Sequence, residues 1–260
     1  MGYKSLLIDM DPQGNATSGL GFDRKAYSPS IYETLLEFRP IKSIIKETST
    51  PGHSLAGAGS NLIGAEHELS SVIGKESRLR GALGGIKSDF EFIFIDCPPS
   101  LGLLTINALN ACDSVLVPMQ SEYFALEGVA LLMETIDHMR KAWNKKMAIE
   151  MVLTMHDPRI GLANQVRDEI ANYFKDSLYS AAIPRNIRLA EAPSFGKSII
   201  QYDAHSKGGQ AYLALAQEFI AKRSKPDCPP REQGRSQEIA TQASSETSAP
   251  IKQTVEGENA

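Results

Sequence analysis

Short runs of consecutive apolar residues alternate along this chain with longer stretches in which apolar positions recur every three or four residues. The runs Ser5–Asp9, Phe92–Asp96, 114–118 and 149–155 predict strands, and 55–59 and 180–183 predict weaker ones. Several are apolar at consecutive positions, the pattern of strands covered on both faces. Residues 122–143 carry Leu126, Val129, Leu132, Met133, Ile136, Met139 and Trp143 at helical spacing, and 162–174 and 208–220 repeat that period. Strand and helix therefore alternate through the chain. That order predicts an α/β fold, a doubly wound, mostly parallel sheet flanked by helices.

The pattern stops after Lys222-Arg223. Residues 224–260 hold four basic and six acidic residues and hardly any large apolar ones. Such a stretch cannot bury enough surface to offset its ordering entropy, so the chain is expected to divide into a domain over 1–223 and a disordered polar tail over 224–260. No apolar run approaches the roughly 18 residues of a membrane span, and no secretory signal is apparent at Met1-Gly2-Tyr3-Lys4-Ser5. Three cysteines (Cys97, Cys112, Cys228) are too few and scattered for a disulfide framework or zinc site. The reading is a soluble protein of a reducing compartment. A net charge of −4 gives no whole-chain signal for nucleic acid, so any such binding would need a local basic patch.

In a doubly wound sheet, ligands bind outside the carboxyl ends of the strands. Two strands end there in acid: Leu6-Leu7-Ile8-Asp9-Met10-Asp11-Pro12-Gln13-Gly14 and Phe92-Ile93-Phe94-Ile95-Asp96-Cys97-Pro98-Pro99-Ser100. A carboxylate at the end of a buried strand is costly unless it meets a cation or hydrogen-bond donors. The second run has the form of a Walker B element, four apolar residues followed by an Asp that holds magnesium through water. Alone, such a run is usually a strand end or helix cap. The pair is more specific, because each acid precedes a Pro/Gly turn. The five histidines show no ligand spacing and read as surface or capping residues, and Cys97 and Cys112 read as small buried ones.

Four longer blocks carry a resemblance. The segment from Asp9 to Gly21 resembles switch I of the ParA/Soj family of partitioning ATPases, and Asp96 to Thr105 resembles its Walker B and switch II. Glu122 to Gly128 and Ile183 to Ser194 are similar to two further family blocks. The likeness runs from about residue 3 to 222. It implies a P-loop NTPase-like domain using ATP and Mg2+, with Asp11 polarising the attacking water and Asp96 organising the metal beside Asp9. Gln13 and Gly102 would lie in the two switches, and Pro184 and Arg185 would border the adenine. Arg159 and Arg188 match arginines that hold DNA non-specifically, and Lys197 would extend their patch. The resemblance also implies an ATP-dependent homodimer, a ParB/Spo0J-type partner that stimulates hydrolysis, no membrane, and a cytoplasmic, nucleoid-associated protein serving chromosome or plasmid segregation.

The family opens with a strand and a KGGxGKT loop, and no such loop occurs in these 260 residues. Gly196-Lys197-Ser198 ends like one, but Pro193 interrupts it, and Gly84-Gly85-Ile86-Lys87-Ser88 lacks the spacing. A phosphate loop supplies about half a dozen charge-assisted bonds of roughly 1.5–3 kcal/mol each, against a total of about 8 kcal/mol for micromolar affinity. The chain as written is therefore expected to bind ATP poorly and, without the family's central strand, to fold poorly. Two readings of its activity follow. One is a complete ATPase whose start has been assigned too late. The other is an inactive truncated remnant, acting only as a DNA- or ParB-binding module. A MinD-like membrane-cycling ATPase is the further alternative; it would need an amphipathic C-terminal helix where this chain has a polar tail.

Overall fold

The computed structural model describes residues 1–121, 125–143, 145–174 and 177–223. The expected tail over 224–260 and the motif residues Glu122, Tyr123 and Phe124 lie outside the described residues. In chain order the elements used below are β1 (Ser5–Asp9), α1 (Asn15–Gly19), α2 (Ile31–Leu36), β2 (Lys46–Glu47), β3 (His53–Ala56), α3 (Ala65–Leu69), α4 (Arg78–Leu83), β4 (Phe92–Asp96) and α5 (Leu103–Ala111). They continue with β5 (Ser114–Gln120), α6 (Ala125–Trp143), β6 (Ala148–Thr154), α7 (Gly161–Phe174), α8 (Ile187–Glu191), α9 (Ile199–Asp203) and α10 (Lys207–Arg223).

Among the described residues two ladders form the strand layer, β2-β3-β1-β4 and β5-β6, and only the β2–β3 pair is antiparallel. The same two cores run along both ladders. Leu6, Ile8, Ile95, Val115, Val117, Met151 and Leu153 point to one side, where they meet apolar residues of α2 to α7. Leu7, Leu55, Phe92, Phe94, Leu116 and Val152 point to the other, against Leu215 and Phe219 of α10. Alternate side chains of one strand thus feed opposite cores, and helices cover both, as a doubly wound fold requires. On the α10 side the cover is aromatic: the Phe94 ring lies 6.1 Å from that of Phe92 and 5.8 Å from that of Phe219.

α10 is also held by charge. Arg223 Nη2 donates to Glu150 Oε2 at 2.7 Å and to Ser114 Oγ at 3.1 Å, and the Tyr179 hydroxyl donates to the same carboxylate at 3.0 Å. Both charged side chains are only 14% exposed, so each relies on the other and on these further bonds. Burial and the Glu150 charge push the Tyr179 hydroxyl well above its ordinary range.

The strong strands and long helices stand where the pattern predicts them. Two stretches and two histidines differ. The strand expected at 55–59 starts earlier, at His53, and ends at Ala56, because Gly57 and Gly59 turn away to let Tyr27 pack against them. Residues 180–183 form no strand; this part of the chain is bridged at Leu178 to Met151 of β6 and at Pro184 to His156 beyond it. The histidines are not all at the surface. His53 and His156 are buried, with their Nδ1 atoms bonded to Ser5 Oγ at 2.8 Å and Ser121 Oγ at 2.9 Å. Cys97 and Cys112 are buried as expected.

Phe94 is 1% exposed at the centre of the aromatic cluster. Phe94→Ala is expected to lower unfolding free energy by about 3–5 kcal/mol in urea titration, whereas Tyr3→Ala, at a ring 36% exposed, should cost less than about half of that.

Candidate functional site

β1 and β4 run parallel in a register that pairs Asp9 with Asp96, so both strands deliver a carboxylate to the same end of the sheet. The Met10 amide donates to the Asp96 carbonyl at 2.8 Å, extending the pairing one residue before the chain turns. That turn is held from within: the Gln13 amide donates to Asp11 Oδ1 at 2.9 Å and the Gly14 amide to the Asp11 carbonyl at 2.9 Å. Gly14 has φ +64°, a backbone that favours glycine, and a Cβ here would also run into the Arg24 side chain lying across it. Arg24 Nη1 donates to the Gln13 carbonyl at 2.7 Å. The loop that carries Asp11 and Gln13 is therefore pinned by a residue eleven positions downstream.

Asp9 is completely buried. Its Oδ1 accepts from the Asp11 amide at 3.1 Å, and its Oδ2 accepts from the Thr17 amide at 2.8 Å and the Thr17 hydroxyl at 2.6 Å. Burial pushes its carboxyl up to about 6, against the opposing pull of the Thr17 bonds. Asp9 is thus a tie between the end of β1 and the first turn of α1. Thr17 extends the tie by accepting from the Ala58 amide at 2.9 Å, which reaches the loop after β3.

Asp11 and Asp96 are half-buried and Gln13 is exposed. Burial, followed by the charge of the adjacent Asp96, pushes the Cys97 thiol far up. Among the described residues no three or more His, Cys, Asp or Glu side chains are grouped to hold a metal by themselves. Magnesium taken with a nucleotide does not need such a cage, because phosphate oxygens and water complete its octahedron around one or two carboxylates.

Gly102 caps the amino end of α5 and has no side chain to do so. Glu66 of α3 serves instead. Its Oε1 accepts from the Leu104 amide at 3.3 Å, and its carboxylate presses so close to Gly102 that a Cβ there would collide with it. A carboxylate at this helix end is favoured by the helix dipole.

Of the remaining expected residues, Pro184 stands just beyond the carboxyl end of β6. The Ile183 amide donates to the Leu153 carbonyl at 2.8 Å and the His156 amide to the Ile183 carbonyl at 3.1 Å, leaving Pro184 half-buried and Arg185 exposed. Arg159 follows His156 by three residues and Arg188 follows Pro184 by four, and each is ion-paired. Arg159 Nη2 meets Asp157 at 2.6 Å, while Arg188 meets Glu191 at 2.9 Å and Asp203 at 3.6 Å. Lys197 is exposed, and its neighbours exclude a phosphate loop: Gly196 packs on Gly21, and Ser198 caps α9 by accepting from the Gln201 amide. The structure therefore joins Asp9, Asp11, Gln13 and Asp96 at one rim, and bridges Pro184 to His156 just beyond the end of β6. Sequence reasoning missed Thr17, Arg24 and Glu66, which hold the first group in place.

A family model described as an AAA domain matches residues 1–149. The chromosome partitioning protein ParA of Myxococcus xanthus is 48% identical over 229 residues, spanning 88% of this chain and 81% of that protein. The sporulation initiation inhibitor protein Soj of Bacillus subtilis is 48% identical over 222 residues, spanning 85% and 88%. Among solved structures, cobyrinic acid a,c-diamide synthase of Mycobacterium smegmatis with a bound ATP analog and magnesium has a TM-score of 0.76 at 30% identity, covering 90% of this chain and 88% of that one. A plasmid partition protein of Borrelia burgdorferi bound to AMPPNP has a TM-score of 0.71 at 23% identity over 85% and 88%, and shares the fold.

Because the folded protein holds the Asp9 proton more tightly than the unfolded chain does, Asp9 favours folding fully below about pH 4, and this contribution is lost as pH rises to about 6. In metal-free buffer, stability measured against pH for the parent minus that for Asp9→Asn should fall across this interval by up to about 3 kcal/mol. A flat difference would contradict the buried tie.

Proposed function

The chain belongs to the ParA/Soj family of chromosome-partitioning proteins, and from that premise we propose that it works as an ATP-driven DNA-segregation switch. The observation that carries the reading is the parallel register of β1 and β4, with two half-buried carboxylates, Asp11 and Asp96, at one rim. Asp96 would hold magnesium through water. Asp9, whose oxygens already accept three hydrogen bonds, fits a positioning role better than direct ligation. Bound Mg-ATP would supply a phosphoryl group whose transfer to water drives the switch.

Asp11 would orient the attacking water and accept its proton. It suits that task because Gln13 and Gly14 hold its turn while Arg24 fixes the loop from outside, so little reorganisation is needed at the moment of reaction. Gln13 and Gly102 would report the state of the nucleotide to the two switches, and Pro184 and Arg185 would border the base. Arg159, Arg188 and Lys197 would contact DNA phosphates without reading sequence. For the two arginines this means exchanging the carboxylates of Asp157, Glu191 and Asp203 for phosphate. The working form is an ATP-dependent homodimer in the cytoplasm, associated with the nucleoid, whose hydrolysis is stimulated by a ParB-type partner. The family relationship and the Mg-nucleotide complex of a fold relative support this cycle.

The test uses the protein expressed from its own gene, with whatever residues the reading frame places before Met1. Asp11→Ala should lower partner- and DNA-stimulated ATP turnover by at least about 100-fold, the scale of a lost general base. Parental turnover in the variant, or a parent that hydrolyses no ATP, contradicts the reading. For DNA, Arg159→Ala and Arg188→Ala should each weaken duplex binding equally across sequences and reduce the salt slope by about one. A slope unchanged in both variants contradicts the assigned patch.

A further inference from the structure

At the opposite end of the strand layer from Asp11 and Asp96, a cavity of about 560 Å³ opens between the turn that follows α2 and the helix α4. Its position follows from Lys42 on one wall, which is ion-paired at 3.0 Å with Asp89, just before the amino end of β4. Two large apolar side chains among its lining residues are exposed: Phe38 is 73% exposed and Ile73 is 96% exposed. Phe38 moreover has φ +59°, a backbone that an aromatic residue rarely adopts. The Arg78 guanidinium holds that conformation, lying 3.3 Å from the Phe38 ring centroid while its Nε donates to the Leu35 carbonyl at 2.7 Å. An exposed aromatic ring is thereby displayed beside the cavity instead of being folded into the core.

The floor is bare. A Cβ built on Gly81 of α4, or on Gly85 beyond it, would meet no atom within 4 Å. The walls are basic: Arg39, Lys42 and Arg78 line the cavity, in a chain whose net charge is −4, and no carboxylate is among the lining residues.

We propose that this groove docks a helix of a partner protein, apolar along one face and acidic along its flanks. Its leucine-like side chains would fill the space above Gly81 between Phe38 and Ile73, at the i, i+3, i+4, i+7 spacing of helix-in-groove recognition. Its carboxylates would meet Arg39 and Lys42. Nucleic acid is a poorer match, because a phosphate backbone offers nothing to two exposed apolar side chains. A second copy of this chain is also disfavoured, because a two-fold contact through this patch would set like charges against one another. The proposal does not depend on the ATPase reading, since none of these residues belongs to the carboxylate rim.

The probe is a labelled peptide with leucines on one helical face and glutamates on the other, compared with its glutamate-to-lysine counterpart by fluorescence anisotropy. The glutamate peptide should bind at least about 10-fold tighter. Gly81→Leu, which fills the floor and improves helix propensity, should lose about 10-fold or more while the thermal melt is maintained. The double variant Arg39→Glu/Lys42→Glu should reverse the preference between the peptides. Equal binding of both peptides overturns the proposal, as does binding that Gly81→Leu leaves unchanged. So does self-association in sedimentation that Gly81→Leu abolishes, or duplex DNA affinity that falls in the charge-reversed variant while the peptide still binds.

Discussion

The parallel pairing of β1 with β4 is the constraint on which the rest of the site depends. With Asp9 opposite Asp96, the two strands end together, and the polar turns after them have to share one rim. A slip of one residue would turn Asp9 out of its ring of donors and send Leu6 and Ile8 to the opposite core. The apolar pattern forbids that slip. Leu6 and Ile8 fit the core under α2 to α5, whereas Leu7 fits the one under α10. Packing that has nothing to do with chemistry thereby sets where the carboxylates stand.

Asp9 shows how a buried charge is turned to structural use. Taking a carboxylate out of water costs several kcal/mol, and here three donors from two segments offset part of that cost. The donors come from Asp11 and Thr17, so whatever displaces Asp9 also moves the loop holding Asp11 and the short helix behind it. Through Thr17 the same tie reaches the Ala58 amide. One acid therefore couples β1, the acidic turn, α1 and the loop after β3. Glu66 plays a comparable part for Gly102 at the head of α5. Of the carboxylates at the rim, the fully buried Asp9 is the anchor, and Asp11 and Asp96 stand half-buried.

Much of this was legible in the sequence where burial leaves a periodic mark. β1 and β4 were readable to the residue because both are buried on two faces and end in acid. The helices α7 and α10 were readable because their apolar stripes repeat every three or four positions. The failures share a physical reason. At residues 180–183 the apolar pattern is real, yet the segment is held by the Ile183 amide on the Leu153 carbonyl and by Glu218, whose carboxylate accepts from the Ser180 and Ala181 amides. His53 and His156 are buried because each finds one serine hydroxyl far away in the chain. Arg24, Thr17 and Glu66 act through bonds between a side chain and a distant or turned backbone, and such bonds leave no periodicity to detect. The motif blocks marked the rim, while the residues that stiffen it came only with the fold.

The central claim is that the loops after β1 and β4 face one metal-nucleotide together. Paramagnetic broadening by substoichiometric Mn2+ with ATP, followed in amide NMR spectra of the protein, tests it most directly. The account predicts that residues 9–14 and 96–102 lose intensity together and ahead of the rest of the chain. Broadening of one loop without the other, or of neither while a different surface responds, would contradict it.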